Sequence, residues 1–470
     1  MNIDASLLTP ETAEERVLGI QTKLHRWAKE DPQRHFDDLY NLVCDPAFLY
    51  VAWCRVRRNR GARTAGIDGL NARSIDNVNA FIGQLRADLK ARIFHPLPVR
   101  ERRIPKTGTS KYRRLGIPTT RDRVVQGALK LVLEPIFEAD FQPCSYGFRP
   151  NRRAQDAIAE IHFLCSRSYE WVVEGDIKAC FDEIDHTALM SRVRKRVGDK
   201  KVLALIKAFC KAGILTEDGQ VQDTITGTPQ GGILSPLLAN TALSELDDHF
   251  AQAWQAMGSH SGARQAYRLR GLPTYRLVRY ADDFVLLVAG TRQQAEALCE
   301  ETAAVLSPMG LRLSPEKPTI CHIDKGFDFL GFRIQRRRKR GTQQHYVYTW
   351  PSRKAVASVK AKIRVLTRMG RNHPIQILFD RLNPVLRGWT SYFRHGVSKK
   401  TFGYLRAFTW RRVVCWLRRK HPRMNWKTIR RRYLPGWWPT DGEGTLFNPG
   451  AVAVKRYCYR GRRIATPWDA

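Results

Sequence analysis

Three aspartates in this sequence have the spacing to do chemistry together. Asp176 closes the β-type run in WVVEGDIKACFDEID, and Asp282 and Asp283 sit side by side in LVRYADDFVLLV, residues 277–288. Leu277, Val278 and Tyr280 lead into the pair, and Phe284, Val285, Leu286, Leu287 and Val288 lead out of it. A hairpin turn is the plain reading, because Asp is common in turns between short β-rich runs. The matching acid at Asp176 adds another. Two strands ending in carboxylates can lie side by side in one sheet, which would put all three acids on one lip. Such a cluster is costly unless cations neutralise it. Carboxylates together with substrate phosphates are how proteins hold Mg²⁺. Two such ions about 3.5–4 Å apart can activate an attacking oxygen and stabilise the leaving one in phosphoryl transfer. Two unrelated acidic turns are the alternative at this point.

The elements around these acids follow from periodicity. Residues 1 to about 60 read as helical, with Val17, Ile20, Leu24 and Trp27 on one face. Ile75, Val78, Phe81, Ile82, Leu85 and Leu89 continue the pattern in a further helix. The period then changes: a strand, a loop around Gly108, a second strand from Tyr112 to Ile117, and a helix from Thr120 or Arg121. GTPQGGILSPLLANTALSELDDHF reads as a glycine-rich turn entering a long helix. RIQRRRKRGTQQH reads as a basic loop or hairpin edge, and Val356, Val359, Ile363 and Leu366 mark an amphipathic helix.

The chain has 470 residues and a formal charge of +36, so its partner is a polyanion or an anionic surface. Of that excess, +30 lies from Gly331 onward: 34 Lys and Arg stand there against Asp380, Asp441, Glu443 and Asp469. A near-balanced body therefore carries a strongly basic module. No run of about 18 apolar residues exists, so no membrane partner is expected. The ten cysteines are scattered without a Cys-x-x-Cys, which fits free thiols in a reducing cytoplasm better than zinc or disulfides. The acidic N-terminus is unlike a signal or transit peptide.

RYADD after a strand, EGDIKACFD upstream and GTPQGGILSPLLAN between them resemble the palm motifs of reverse transcriptases, in the same order. GIDG (66–69), RRIPKTGTSKYRRLGIPTTRDRVVQ (102–126), CSYGFRPNRRAQDAI (144–158), EKPTICHI (316–323) and FDFLGF (327–332) agree with one branch. Over about residues 40–435 the chain is similar to the group II intron-encoded reverse transcriptase/maturases. The resemblance implies an α+β right-hand polymerase, with fingers, a palm built on an antiparallel sheet and a helical thumb, plus an N-terminal helical extension. The implied divisions are 1–60 for that extension, 61–335 for fingers and palm, 336–435 for the RNA-binding thumb and maturase domain, and 436–470 for a basic tail. A His-Asn-His endonuclease is not expected, since only Cys415 and Cys458 lie beyond residue 340 and no histidine follows His421.

The same resemblance assigns roles by position. Asp176 and Asp282 match the principal metal ligands, with the carbonyl of Ile177 assisting, and Asp283 matches the second acid beside the primer end. Two Mg²⁺ ions are implied, with Mn²⁺ as a substitute. Phe181 matches the steric gate, where an aromatic ring excludes the 2′-hydroxyl that separates RNA from DNA precursors. Gln230 and Gly231 match the turn lining the nucleotide, Lys106 and Arg113 the clamp on its triphosphate, and Leu115 the residue packing on the templating base. Arg100, Arg102 and Arg114 are as well explained by a solvated face. Phe329, Leu330 and Gly331 resemble the primer-grip turn, although Leu330 and Phe332 also suit a core. Arg336, Arg337, Arg338, Lys339, Arg394, Lys399, Lys400, Arg411 and Arg412 are the candidate contacts to RNA. Most tryptophans among them suit a core.

The implied activity is RNA-directed DNA synthesis coupled to intron splicing and mobility. The partners would be group II intron RNA, an RNA template, a DNA primer or target and dNTPs, in a bacterial cytoplasm on intron RNA or nucleoid DNA. Monomer and homodimer both stay open. Two other readings stand beside this one: a domesticated relative used in defence or repair, and a splicing factor with no polymerase activity.

Overall fold

A computed structural model describes residues 9–105, 112–314, 319–370, 372–461 and 464–469. Lys106 and the loop around Gly108, and positions 316–318 of the EKPTICHI motif, lie outside the described residues. Eleven strands occur among them, in chain order β1 (Val99–Pro105), β2 (Tyr112–Ile117), β3 (Trp171–Asp176), β4 (Ile214–Leu215), β5 (Val221–Gln222), β6 (Thr274–Tyr280), β7 (Asp283–Ala289), β8 (Thr319–His322), β9 (Phe327–Phe329), β10 (Phe332–Arg338) and β11 (His345–Pro351). They form three sheets, ordered β2-β1-β4-β5, β6-β7-β3-β8 and β11-β10-β9. The central sheet is antiparallel throughout, as expected for a palm.

The central sheet is apolar because both faces are covered. Phe284 to Val288 of β7 are all buried, and so are Val172 and Val173 of β3. Beneath it run two long helices, Thr120–Asp140 and Ser235–Ala256. Helix Thr120–Asp140 starts where the sequence predicts, capped by the Thr119 hydroxyl, which accepts from the Asp122 amide. Pro135 interrupts it and supplies no amide for the Leu131 carbonyl. The N-terminal helix Pro10–Glu30 repairs that loss: Gln21 Nε2 donates to Leu131 O at 2.6 Å. His25 Nδ1 donates to the Pro135 carbonyl at 2.7 Å on the same face. The extension is thereby built into the core.

Two local expectations need revision. Residues 31–39 are not helical; Phe36 instead bridges Val197. Ile75 precedes its helix, which spans Val78–Lys90 and is capped by Asn77. The basic run 333–345 is the β10–β11 hairpin. Beyond it, helices Arg353–Leu366, Ile375–Phe393 and Lys399–Lys420 pack around Ile363, Leu382, Leu386 and Trp416, all fully buried. Of the amphipathic face, Val359 and Ile363 carry the burial.

The last segment does not hang free as a basic tail. Arg460 and Tyr457 both bond the buried Asp156 carboxylate, Arg460 Nη2 at 2.7 Å and Tyr457 Oη at 3.0 Å. Trp468 is buried against His25, 5.4 Å between ring centres, and Asp469 pairs with Lys29 at 2.7 Å. The C-terminal strap thus runs from helix Lys399–Lys420, past Asp156, to the first helix. No helix among the described residues is long and apolar enough to cross a membrane, and all ten cysteines are free thiols.

Candidate active site

The two acid-ending strands are neighbours. β3 and β7 pair antiparallel, and the last pair of the register is Asp176 opposite Asp283. β6 and β7 pair as far as Tyr280 opposite Asp283, which leaves Ala281 and Asp282 as a two-residue turn. Asp282 lies at its tip and is half-buried. Burial pushes its carboxyl above the usual carboxylate range. Its own backbone amide holds it down, Asp176 pushes it further up, and the charges of Arg113 and Arg279 pull it back. The three acids therefore stand at neighbouring positions at one end of the sheet, and the charge of Arg113 reaches Asp282.

Close packing at this lip explains two glycines. Gly175 faces the Phe284 ring, which occupies the space a Cβ would need. Gly147, in CSYGF, lies against the backbone of Ala281 with no room for a side chain. Ile177 bridges Leu313, but the bonds there belong to its neighbours: Lys178 N donates to Arg312 O and Ser314 N to Asp176 O. The Ile177 carbonyl takes no part in those two bonds.

Sequence reasoning missed what holds the turn. Arg279 is fully buried and forks onto Asp247, with Nε donating at 2.8 Å and Nη2 closer still. Its Nη1 donates to the Ala281 carbonyl at 2.9 Å and to Asn240 Oδ1 at 3.0 Å, and Nη2 donates to Ser145 Oγ at 2.8 Å. Ala281 sits at φ 58, a left-handed conformation uncommon for a side-chain-bearing residue. The arginine fixes it there. The one sequence signal was a strand, TYRLVRY, that carries two arginines, Arg276 and Arg279, beside the apolar Leu277 and Val278.

Of the residues expected beside the nucleotide, Leu115, Phe181, Gln230 and Gly231 meet at one loop. Gly116 N donates to the Gln230 carbonyl at 2.7 Å, docking the TPQGG turn on β2. Gly231 has φ +117, and a Cβ there would meet the Gly116 carbonyl at 2.6 Å and the Leu115 side chain at 2.9 Å. Thr228 N donates to the Phe181 carbonyl at 2.6 Å, which ties the same loop to the proposed gate. The Phe181 ring meets Phe148 edge-on, 6.3 Å between centres. Phe148 is half exposed, with φ 58, and is a further aromatic at the site that was not foreseen. A cavity of about 280 Å³ lies between β1–β2 and this loop, lined by Leu115, Gly116, Asp182, Pro229 and Gln230 among others. Arg114, by contrast, pairs with the buried Glu101.

Leu330 and Gly331 are the two-residue turn of the β9–β10 hairpin, both with positive φ. The turn is locked to the following helices: Tyr392 Oη of Ile375–Phe393 donates to the Leu330 carbonyl at 2.9 Å, and Ser352 N, at the start of Arg353–Leu366, to the Gly331 carbonyl at 2.8 Å. Phe329 and Phe332 are core.

The candidate RNA contacts divide. Arg336 is held by Asp324, with Nε at 2.6 Å and Nη2 at 2.9 Å, and by Glu170, so its guanidinium braces the hairpin. Lys399 Nζ donates to the Gly450 carbonyl at 2.8 Å and staples the strap. Arg412 Nε donates to Thr367 Oγ1 at 3.0 Å. Counting charges could not separate these bracing cations from free ones. Arg337 lies over Trp350, and Arg394 is half-buried. Arg338, Lys339, Lys400 and Arg411 are exposed.

Comparison with known proteins now decides the family. The family described as "Reverse transcriptase (RNA-dependent DNA polymerase)" matches residues 104–334, and "Group II intron, maturase-specific domain" matches 356–434. This chain belongs to the group II intron-encoded reverse transcriptase/maturases. Members are RNA-directed DNA polymerases joined to a maturase region, and the chain carries both parts. It is 37% identical over 357 residues to "Protein YkfC" of Escherichia coli, covering 72% of this chain and 93% of that protein. It is 34% identical over 369 residues to "Group II intron-encoded protein LtrA" of Lactococcus lactis, covering 68% of this chain and 60% of LtrA. A "Putative COX1/OXI3 intron 2 protein" of Saccharomyces cerevisiae is 24% identical over 410 residues, 78% of this chain and 45% of its own.

Proposed function

We propose that Asp176, Asp282 and Asp283 form the polymerase centre of this reverse transcriptase/maturase. The observation that carries the assignment is the pairing of Asp176 with Asp283 beside the Asp282 turn. Carboxylates together with substrate phosphates are how Mg²⁺ is commonly bound beside nucleotides. Burial of Asp282 and the neighbouring charge of Asp176 make cation binding there favourable. Asp176, Asp282 and Asp283, with the Ile177 carbonyl, would hold two Mg²⁺. The ions would supply charge stabilisation for transfer of a nucleotidyl group onto the primer 3′-hydroxyl.

The chain's own residues do the rest. The β9–β10 turn at Leu330 and Gly331 positions the primer end from the thumb side. Leu115 and the Gln230–Gly231 turn face the base pair, while Lys106 and Arg113 draw in the triphosphate. Phe181 would exclude a 2′-hydroxyl from the nucleotide. We read residues 61–335 as fingers and palm and 336–435 as thumb and maturase, with intron RNA on the exposed basic face and the bacterial cytoplasm as the compartment.

Primer extension on an RNA template with a DNA primer and Mg²⁺ tests this reading. The wild type should use dNTPs and reject rNTPs, and Phe181→Ala should lose about tenfold or more of that discrimination, the scale of one steric contact. Preference of the wild type for rNTPs would contradict the gate.

A further inference from the structure

We propose that a second cavity, behind the palm, binds an unpaired stretch of RNA. The cavity measures about 940 Å³ and shares no residue with the nucleotide-side one. Helix Ala154–Cys165 forms one wall, the β10–β11 hairpin another, and residues 454–459 of the C-terminal strap a third. Its size lies within the roughly 300–1,000 Å³ of ligand pockets.

The charge of the lining has one sign. Arg167, Lys339, Lys399 and Arg456 reach the cavity, with His162 and His395, and among the described residues no carboxylate does. Among the described residues neither Lys339 nor Arg456 has a carboxylate partner. The walls are also aromatic. Phe163 stacks on Tyr459 with 4.6 Å between centres, and the Arg167 guanidinium lies 3.6 Å from the Phe163 ring centre. Tyr457 and His395 meet edge-on at 4.9 Å.

These walls are fixed before any ligand arrives. His162 Nε2 donates to the Val347 carbonyl at 3.0 Å, His395 Nδ1 donates to the Lys455 carbonyl at 3.0 Å, and Lys399 holds Gly450. A preformed hollow of cations and π-faces suits phosphates joined to unstacked bases. Duplex RNA keeps its bases stacked and cannot offer their faces to such walls. An apolar ligand would leave the cations uncompensated. RNA, rather than DNA, follows from the maturase region that the strap continues, so the inference rests on the RNA-binding reading above.

Two substitutions outside the polymerase centre test it. Ala159→Trp fills the hollow without changing charge, and Arg456→Glu reverses charge on an exposed side chain. Binding is read with a dye-labelled unstructured oligoribonucleotide, a duplex RNA and the matching single-stranded DNA, beside primer extension. Both variants should bind the unpaired RNA at least about tenfold more weakly, the scale of one base stack removed. Duplex affinity under Ala159→Trp and DNA synthesis should stay at wild-type level. Unchanged binding of the unpaired RNA would overturn the proposal and leave the cavity to another occupant. Equal losses for duplex RNA under Ala159→Trp, or equal binding and loss for the DNA strand, would also overturn it. A wild type that bound no RNA would instead refute the broader maturase reading.

Discussion

Arg279 and Asp247 form a fully buried ion pair directly beneath the Ala281–Asp282 turn, and the same guanidinium holds the Ala281 carbonyl. The acids at the lip are therefore positioned by a charge with no access to solvent. Removing one partner leaves an uncompensated buried charge, which costs about 3–5 kcal/mol. Asp247→Ala should lower unfolding stability by that amount in urea titrations. Arg279→Met combined with Asp247→Leu should recover much of the stability. It should not recover DNA synthesis, because the Ala281 carbonyl stays unheld. Full activity in the stable double variant would show that the arginine supports only the fold.

Gly231 makes a separate prediction. Its backbone is left-handed, and a Cβ there would press on the Gly116 carbonyl. Gly231→Ala should strain the turn by about 1–3 kcal/mol. The effect should appear as a raised KM for dNTPs in steady-state primer extension, with RNA binding unchanged. An unchanged KM would separate the TPQGG turn from the nucleotide site.

Much of this site is legible in the sequence, and the reason is local. A strand that ends in an acid keeps its meaning whatever surrounds it, so Asp176, Asp282 and Asp283 can be read from short stretches. The β2 strand and the start of the following helix are equally local, set by a β-rich run and by the Thr119 cap. Arg279 and Asp247 stand 32 residues apart, and nothing in either neighbourhood names the other. The basic module misleads for a related reason. Arg336 looks like an RNA contact because charge is visible and partners are not. Of its partners Asp324 is near in the chain, but Glu170 lies 166 residues away. The same holds for the strap, whose Trp468 and Asp469 reach the first helix across the whole fold.

That distinction among cations can be measured. Lys400 and Arg411 are exposed on the maturase helix, whereas Arg336 is tied to Asp324 and Glu170. Lys400→Gln and Arg411→Gln should weaken RNA binding, and each phosphate that goes unneutralised should flatten the log–log salt dependence by about 0.7–0.9. Arg336→Gln should leave that slope unchanged and lower the thermal midpoint. A flatter slope for Arg336→Gln would return it to the RNA interface.

The central claim is that β3 and β7 bring Asp176, Asp282 and Asp283 together to catalyse DNA synthesis, apart from RNA binding. The direct measurement is primer extension by Asp282→Asn on an RNA template with Mg²⁺ and dNTPs, beside intron-RNA binding by the same preparation. Synthesis should fall below detection while RNA affinity stays at the wild-type value. DNA synthesis at the wild-type rate would contradict it.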